Sequence, residues 1–231
     1  MGAAMPSDDV PADAMSSDDV PWVVVIPAKS LATAKSRLSE VVGTRRPELA
    51  LAMLLDTLAA AGATPGVRSV LVVTNDDRIA AAATGLGATV VPDEPPAGLN
   101  AALEHGIAIA ASHHPSCGVV LLTGDLPALR PAELGGVLEF ASTSAGAIAV
   151  ADRAGGGTTL LAARAPEHLR PSFGAGSFAR HRALGAAAVD TSVEGLRCDV
   201  DDDVSLRAAV DIGVGRATAA LLAREHAHGP G

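Results

Sequence analysis

The sequence predicts an α/β fold with a mostly parallel, Rossmann-like central sheet. Three observations carry that expectation. Short apolar runs alternate with Ala-rich helical stretches through the first two thirds of the chain. The 231 residues are 48% hydrophobic but only 2% aromatic, with no Tyr, so Ala, Val, Leu and Ile must build the core, as in parallel strands packed between small-residue helices. Each apolar run is followed by a segment of crossover length, the sequence form of a right-handed βαβ unit.

The elements are expected in this order: a strand at Trp22–Ala28, a helix at Pro47–Ala61, a strand at Ser69–Thr74 and a helix at Arg78–Leu86. A strand at Ala88–Pro92, a helix at Leu99–Ser112, a strand at Gly118–Thr123 and a helix at Pro131–Ala141 continue the alternation. After Ala145–Val150 the rhythm breaks at Gly155–Gly157 and Gly174–Gly176, with short strands at Thr158–Ala163 and Ala186–Val189, so this part reads as an antiparallel or mixed extension. Helices at Val204–Ile212 and Gly215–Arg224 close the chain and are expected to pack back onto the sheet.

Residues 1–21 contain five aspartates, no basic residue and two copies of Ser-Asp-Asp-Val-Pro. They read as a disordered acidic tail. Residues 22–225 are expected to form a single domain and 226–231 a short C-terminal tail. The tail aspartates account for more than half of the formal charge of −9, and no basic face is visible, which argues against nucleic-acid binding. No basic segment followed by an apolar run opens the chain, and no stretch of about 18 apolar residues occurs, so a cytoplasmic protein without a membrane partner is expected. Cys117 and Cys198 match no metal-ligand spacing and read as reduced thiols.

Among 17 basic residues only Lys29 and Lys35 are lysines, and both lie with Arg37 just after the first strand. Ligands of open α/β sheets bind outside the carboxyl ends of strands, where lysines supply compact charge to phosphate oxygens. A solvated basic loop is the plainer alternative. No Gly-x-x-x-x-Gly-Lys-Ser/Thr pattern is present, which disfavours a P-loop, and no Gly-x-Ser-x-Gly hydrolase elbow occurs.

Asp125 follows the strand Val119–Thr123 through one Gly, a place suited to a magnesium ligand, although a helix cap or turn residue is equally consistent with it. Asp199 and Asp201 alternate in an extended segment and so point to one side, which suggests a cation, while Asp202 or Asp203 is expected to cap the helix that follows. Gly155–Thr159 and Phe173–Ser177 are small-residue loops able to close on an anion, and Ser177 is expected to open a helix running through His181. Gly98-Leu-Asn100 offers Asn100 either to a nucleobase edge or as a helix cap. The seven histidines give no base or metal signal and are assigned no role.

The combined order of Pro27-x-Lys29, Ala34-Lys-Ser-Arg-Leu38, Gly98-Leu-Asn100, Gly124-Asp-Leu-Pro127, Gly157-Thr158, Phe173-Gly-x-Gly-Ser177 and Asp199-Val-Asp201 resembles one family. It is similar to the phospholactate/phosphoenolpyruvate guanylyltransferases of coenzyme F-420 biosynthesis, over roughly Trp22 to Leu222. The resemblance implies a nucleotidyltransferase (GT-A-like) fold. It further implies that Asp125, Asp199 and Asp201 hold Mg²⁺, that Thr158, Gly174 and Ser177 bind the acid substrate, and that Lys29, Lys35 and Arg37 grip the GTP phosphates, with Gly98 and Asn100 at the nucleotide. Asp125, Lys29 and Lys35 are then the catalytic set. Two departures are visible: Thr159 stands where Asn is expected, and Asp202 where Thr-Pro is common.

The implied reaction joins GMP from GTP to the phosphate of phosphoenolpyruvate, the acceptor this family more often uses in the GC-rich bacteria that the Ala-rich, Lys-poor composition suggests. The next enzyme of the pathway is a further candidate partner. The same reaction on 2-phospholactate or 3-phosphoglycerate, a nucleotidyltransferase for another acceptor, and a catalytically silent nucleotide-binding regulator are the alternatives.

Overall fold

The computed structural model describes residues 20–31, 45–94, 96–189 and 192–226. Residues 1–19 of the acidic N-terminal tail, the segment carrying Lys35 and Arg37, and the last five residues lie outside the described residues. In chain order the elements are β1 (Trp22–Pro27), α1 (Arg46–Gly62), β2 (Val67–Val73), α2 (Asp77–Gly85), β3 (Thr89–Val91), α3 (Leu99–His113), β4 (Gly118–Leu122) and α4 (Pro131–Thr143). Then follow β5 (Ile148–Ala151), β6 (Thr158–Ala163), a 3₁₀ turn (Pro166–His168), α5 (Ser177–Ala183), β7 (Ala187–Ala188), α6 (Glu194–Arg197), α7 (Asp203–Ile212) and α8 (Arg216–His226).

The strands form one sheet in the order β3-β2-β1-β4-β6-β5-β7. β1 pairs in parallel with β2 and β4, β2 with β3, and β5 with β7. β6 is antiparallel to both β4 and β5, so among the described strands it alone reverses direction. The mixed extension expected from the sequence is therefore one reversed strand inserted into a parallel sheet.

β1 sits inside the sheet, between β2 and β4, because Trp-Val-Val-Val-Ile is apolar on both sides, as a strand covered on both faces requires. Trp22, Val24 and Ile26 face α1, α2 and α4, where Leu54, Leu58, Ile79, Leu134 and Leu138 cover them. Val23 and Val25 face α3 and meet Ala102, Leu103 and Ala110. α3 lies close to the sheet because it carries Gly106 there: a Cβ at that position would overlap Val25 and come within 3.1 Å of Val73.

The closing helices do not pack on the sheet as expected. α7 and α8 pack instead on α1, whose Leu49, Ala52 and Met53 meet Leu206, Ala209 and Leu221, together with Cys198 and Val200. The physical reason is that α1 already covers that face of the sheet and is apolar on its far side too. Asp56, buried on α1, accepts from the N–H groups of Ala217 and Thr218, both at 2.8 Å, and so closes the first turn of α8. Among the described residues no helix is long and apolar enough to cross a membrane.

Candidate functional site

Parallel strands send their carboxyl ends to one edge, and the loops leaving that edge hold the polar groups. Lys29, exposed, follows β1 there, and Asp125 follows β4 through Thr123 and Gly124. Asp152 follows β5. β6 begins at the same edge because it runs the other way: Leu160 lies opposite Leu122, and the Thr123 N–H donates to the Thr159 carbonyl at 3.0 Å. Thr158, the first residue of β6, is thus brought beside the end of β4 by the strand reversal.

The second acidic segment is tied to the first through its backbone, the Val200 N–H donating to the Asp125 carbonyl at 3.1 Å. Cys198 and Val200 are buried in the cluster around α7, so the alternation of an extended chain turns Asp199 and Asp201 outward, as expected. Asp199 is half-buried, and its carboxyl is pushed up to about 7 by burial first, then by the negative charges of Asp125, Asp201 and Asp152. Asp202 caps α7, accepting from the Ser205 N–H at 2.8 Å.

A second group of side chains surrounds Thr158. The Ser177 hydroxyl donates to Thr158 Oγ1 at 3.1 Å, and His181 Nδ1 lies 2.9 Å from the same oxygen. All three side chains are buried. Ser177 opens α5, as expected, behind Gly174 and Gly176 at φ +121° and +70°, values that favour glycine. Arg180 fixes this loop by donating from Nε to Ser172 Oγ at 2.9 Å and from Nη2 to the Ser172 carbonyl at 2.8 Å.

Asn100 does not cap α3; Gly98, at φ +100°, precedes the helix in that role. The Asn100 side chain instead clasps the backbone of Phe173, accepting from its N–H at 2.7 Å and donating to its carbonyl at 3.3 Å. Its amide links α3 to the glycine loop. The expected grouping of Lys29 with Lys35 and Arg37 is described only at Lys29, since the other two lie outside the described residues.

Three residues given no functional weight in the sequence belong to this edge. Asp152 accepts from the N–H groups of Gly156 and Gly157, at 2.9 and 2.6 Å, and shapes the turn that delivers Thr158. Its position at a strand end before a Gly-rich turn was the available signal. Asp76, the cap of α2, also accepts from the Leu31 N–H at 2.9 Å and from Ser30, anchoring the loop of Lys29; these bonds hold its carboxyl below the usual range, the Leu31 bond most. Such a link across sequence has no local signature. His181 is the third, and its spacing of four from Ser177, which puts both on one helix face, would have paired them.

A cavity of about 590 Å³ lies at the opposite end of β1, lined by Trp22, Gly66, Gly135, Leu138 and Glu139. None of the candidate carboxylates, lysines or hydroxyls lines it, so its size is no guide to the chemistry.

A family model described as "Guanylyl transferase CofC like" matches residues 22–213. A phosphoenolpyruvate guanylyltransferase of Thermomonospora curvata is 50% identical over 216 residues, covering 92% of this chain and 93% of the relative. One from Streptomyces avermitilis is 50% identical over 211 residues, covering 90% and 97%. Among solved structures, a Desulfovibrio desulfuricans G20 protein assigned as a nucleotide-diphospho-sugar transferase superposes with a TM-score of 0.69 at 16% identity, covering 90% of this chain and 96% of that one. A 4-diphosphocytidyl-2C-methyl-D-erythritol synthase from Anaerococcus prevotii gives 0.56 at 11% identity, covering 89% and 97%. These structures share the fold, a nucleotidyltransferase-type α/β sheet.

Proposed function

The chain belongs to the CofC-like guanylyl transferase family, and from that premise we propose that it transfers GMP from GTP to the phosphate of phosphoenolpyruvate. A phosphate oxygen of the acceptor attacks the α-phosphorus of GTP, the bond from that phosphorus to the β-phosphate oxygen breaks, and pyrophosphate leaves with the electron pair. The product is enolpyruvyl-diphosphoguanosine. The attacking phosphate is ionised at neutral pH, so the protein needs to supply no base; its work is positioning and charge neutralisation.

The observation that carries the reading is the meeting of two unlike groups at one sheet edge: the carboxylates of Asp125, Asp199 and Asp201, and the hydroxyls of Thr158 and Ser177. In this reading Thr158, Gly174 and Ser177 receive the acid, and Lys29, with Lys35 and Arg37, takes the GTP phosphates near Gly98 and Asn100.

The donor set fits Mg²⁺. Hard oxygen ligands crowd together: after burial, the negative charges of Asp125, Asp201 and Asp152 help to raise the Asp199 carboxyl, a repulsion that a cation among them would relieve. Among the described residues no three His, Cys, Asp or Glu side chains form a ready cage; Mg²⁺ commonly takes only one or two carboxylates and completes its shell with substrate phosphates and water. Asp125, Asp199 and Asp201 would hold the ion, which when bound supplies charge neutralisation between the two phosphate anions. A cytoplasmic location goes with these substrates.

The test is pyrophosphate release from the purified protein with GTP and Mg²⁺, offering phosphoenolpyruvate, 2-phospholactate and 3-phosphoglycerate in turn, with pyrophosphatase present to draw the reaction forward. Release dependent on phosphoenolpyruvate is expected. Release with another of the three would reassign the acceptor, and none with any would remove the reading.

A further inference from the structure

His181 is buried, lies outside the carboxylate group and has no part in the transfer just described, yet both its ring nitrogens are engaged. The Ser172 backbone N–H donates to Nε2 at 2.9 Å. A backbone N–H can only donate, so Nε2 must be the bare nitrogen, and the ring proton sits on Nδ1. Nδ1 therefore donates to Thr158 Oγ1, 2.9 Å away. The same oxygen receives the Ser177 hydroxyl at 3.1 Å. With the Nδ1 proton directed at it, Thr158 Oγ1 cannot give its own proton to the ring; with Ser177 also donating, both lone pairs are filled and that proton points to a third partner.

We infer that His181 is a positioning residue for the acid substrate: as the neutral Nδ1–H tautomer it helps saturate Thr158 Oγ1 and commits the Thr158 hydroxyl to donate. A hydroxyl constrained in this way favours an anionic acceptor such as a carboxylate or phosphate oxygen and offers nothing to a donor. Burial, with the charge of Arg180 in second place, lowers the His181 pKa to about 4, so this arrangement persists at neutral pH. The ring is held in orientation by an edge contact with Phe173, their centroids 5.0 Å apart. Phe173 is in turn clasped by Asn100.

The inference rests on the reading that the acid binds at Thr158. The experiment compares His181→Asn, whose amide N–H stands near the Nδ1 position, with His181→Gln, whose longer amide reaches the Nε2 position, and with Thr158→Val. Each is assayed as the full chain with GTP, Mg²⁺ and phosphoenolpyruvate, and melting temperatures are recorded. We expect His181→Gln to raise KM for phosphoenolpyruvate roughly 10-fold or more, the scale of a lost hydrogen bond to a charged group. KM for GTP should stay within about twofold, and His181→Asn should recover most of the loss. Equal effects of Asn and Gln, or a parallel rise in both KM values, would overturn the inference, because a purely structural histidine has no reason to prefer an amide at Nδ1. An unchanged KM for phosphoenolpyruvate in Thr158→Val would instead remove the acid-site reading on which it rests.

Discussion

The backbone N–H of Val200 donates to the carbonyl of Asp125 at 3.1 Å, joining segments 75 residues apart in sequence. With Val200 anchored in the core around α7, this bond fixes the separation of Asp125 from Asp199 and Asp201 through the main chain. Asp125→Ala is expected to lower turnover by at least about 100-fold, a loss of the size seen when a charge-stabilising group is removed. His113→Ala, at the far end of α3, should leave turnover unchanged; near-normal activity in the first variant, read by pyrophosphate release, would withdraw the metal assignment.

Crowding of carboxylates is a cost in the absence of a cation. Asp199→Asn removes one member without changing its shape, so the metal-free protein should melt higher by a few degrees, at about 2–4 °C per kcal/mol for a chain of this size. The same variant should lose the stabilisation that Mg²⁺ gives the parent. Thermal melts with and without the ion check both; a lower melting temperature without metal would contradict the repulsion seen around Asp199.

Asp56 is not among the candidate site residues but holds the first turn of α8 against α1. Asp56→Ala leaves the N–H groups of Ala217 and Thr218 without their acceptor, at a cost of about 1–3 kcal/mol for a buried donor. Urea unfolding should show this loss, while KM for GTP in the folded fraction is expected to stay at the parent value.

Two glycines in helices should respond in opposite ways to alanine. Gly136→Ala on α4 meets nothing within 4 Å and should stabilise by up to about 1 kcal/mol through helix propensity. Gly106→Ala puts a methyl into Val25 and Val73, and overpacking of about 1–3 kcal/mol should outweigh the same gain. Paired denaturation curves decide it.

His181 makes stability depend on pH. Its pKa is near 4 when folded and near the ordinary 6.5 when unfolded, so the unfolded chain takes up a proton first as the solution is acidified. The contribution is present above pH 6.5, is lost as pH falls toward 4, and then levels off; at most about 3 kcal/mol is at stake. His181→Asn should flatten that part of the stability profile between pH 6.5 and 4.

The parallel half of the sheet was legible because its signals are local. Val23 to Ile26 must be buried on both faces, and Pro131 and the Asp202 cap open their helices wherever the rest of the chain lies. Cys198 and Val200 alternating with Asp199 and Asp201 likewise announced which carboxylates point outward. What could not be read was partnership across long separations. Asn100 carries the sequence signature of a cap, yet its amide is used by Phe173, a neighbour supplied only by the fold. α7 and α8 carry an apolar stripe, but nothing in the stripe says that the far side of α1, and not the sheet, will receive it. The four-residue α6 is too short to impose a period at all.

By itself the sequence determined the βαβ rhythm, the order of the charged and small-residue motifs, and through them the family. Periodicity, capping and turn chemistry act within a few residues, and motif order survives without coordinates. The tertiary structure alone decided that β6 runs backward and so sets Thr158 at the edge that carries Asp125. It also decided that His181 turns its Nδ1 proton to that threonine. Both depend on which distant backbone groups become neighbours, and that is settled by how the whole core closes.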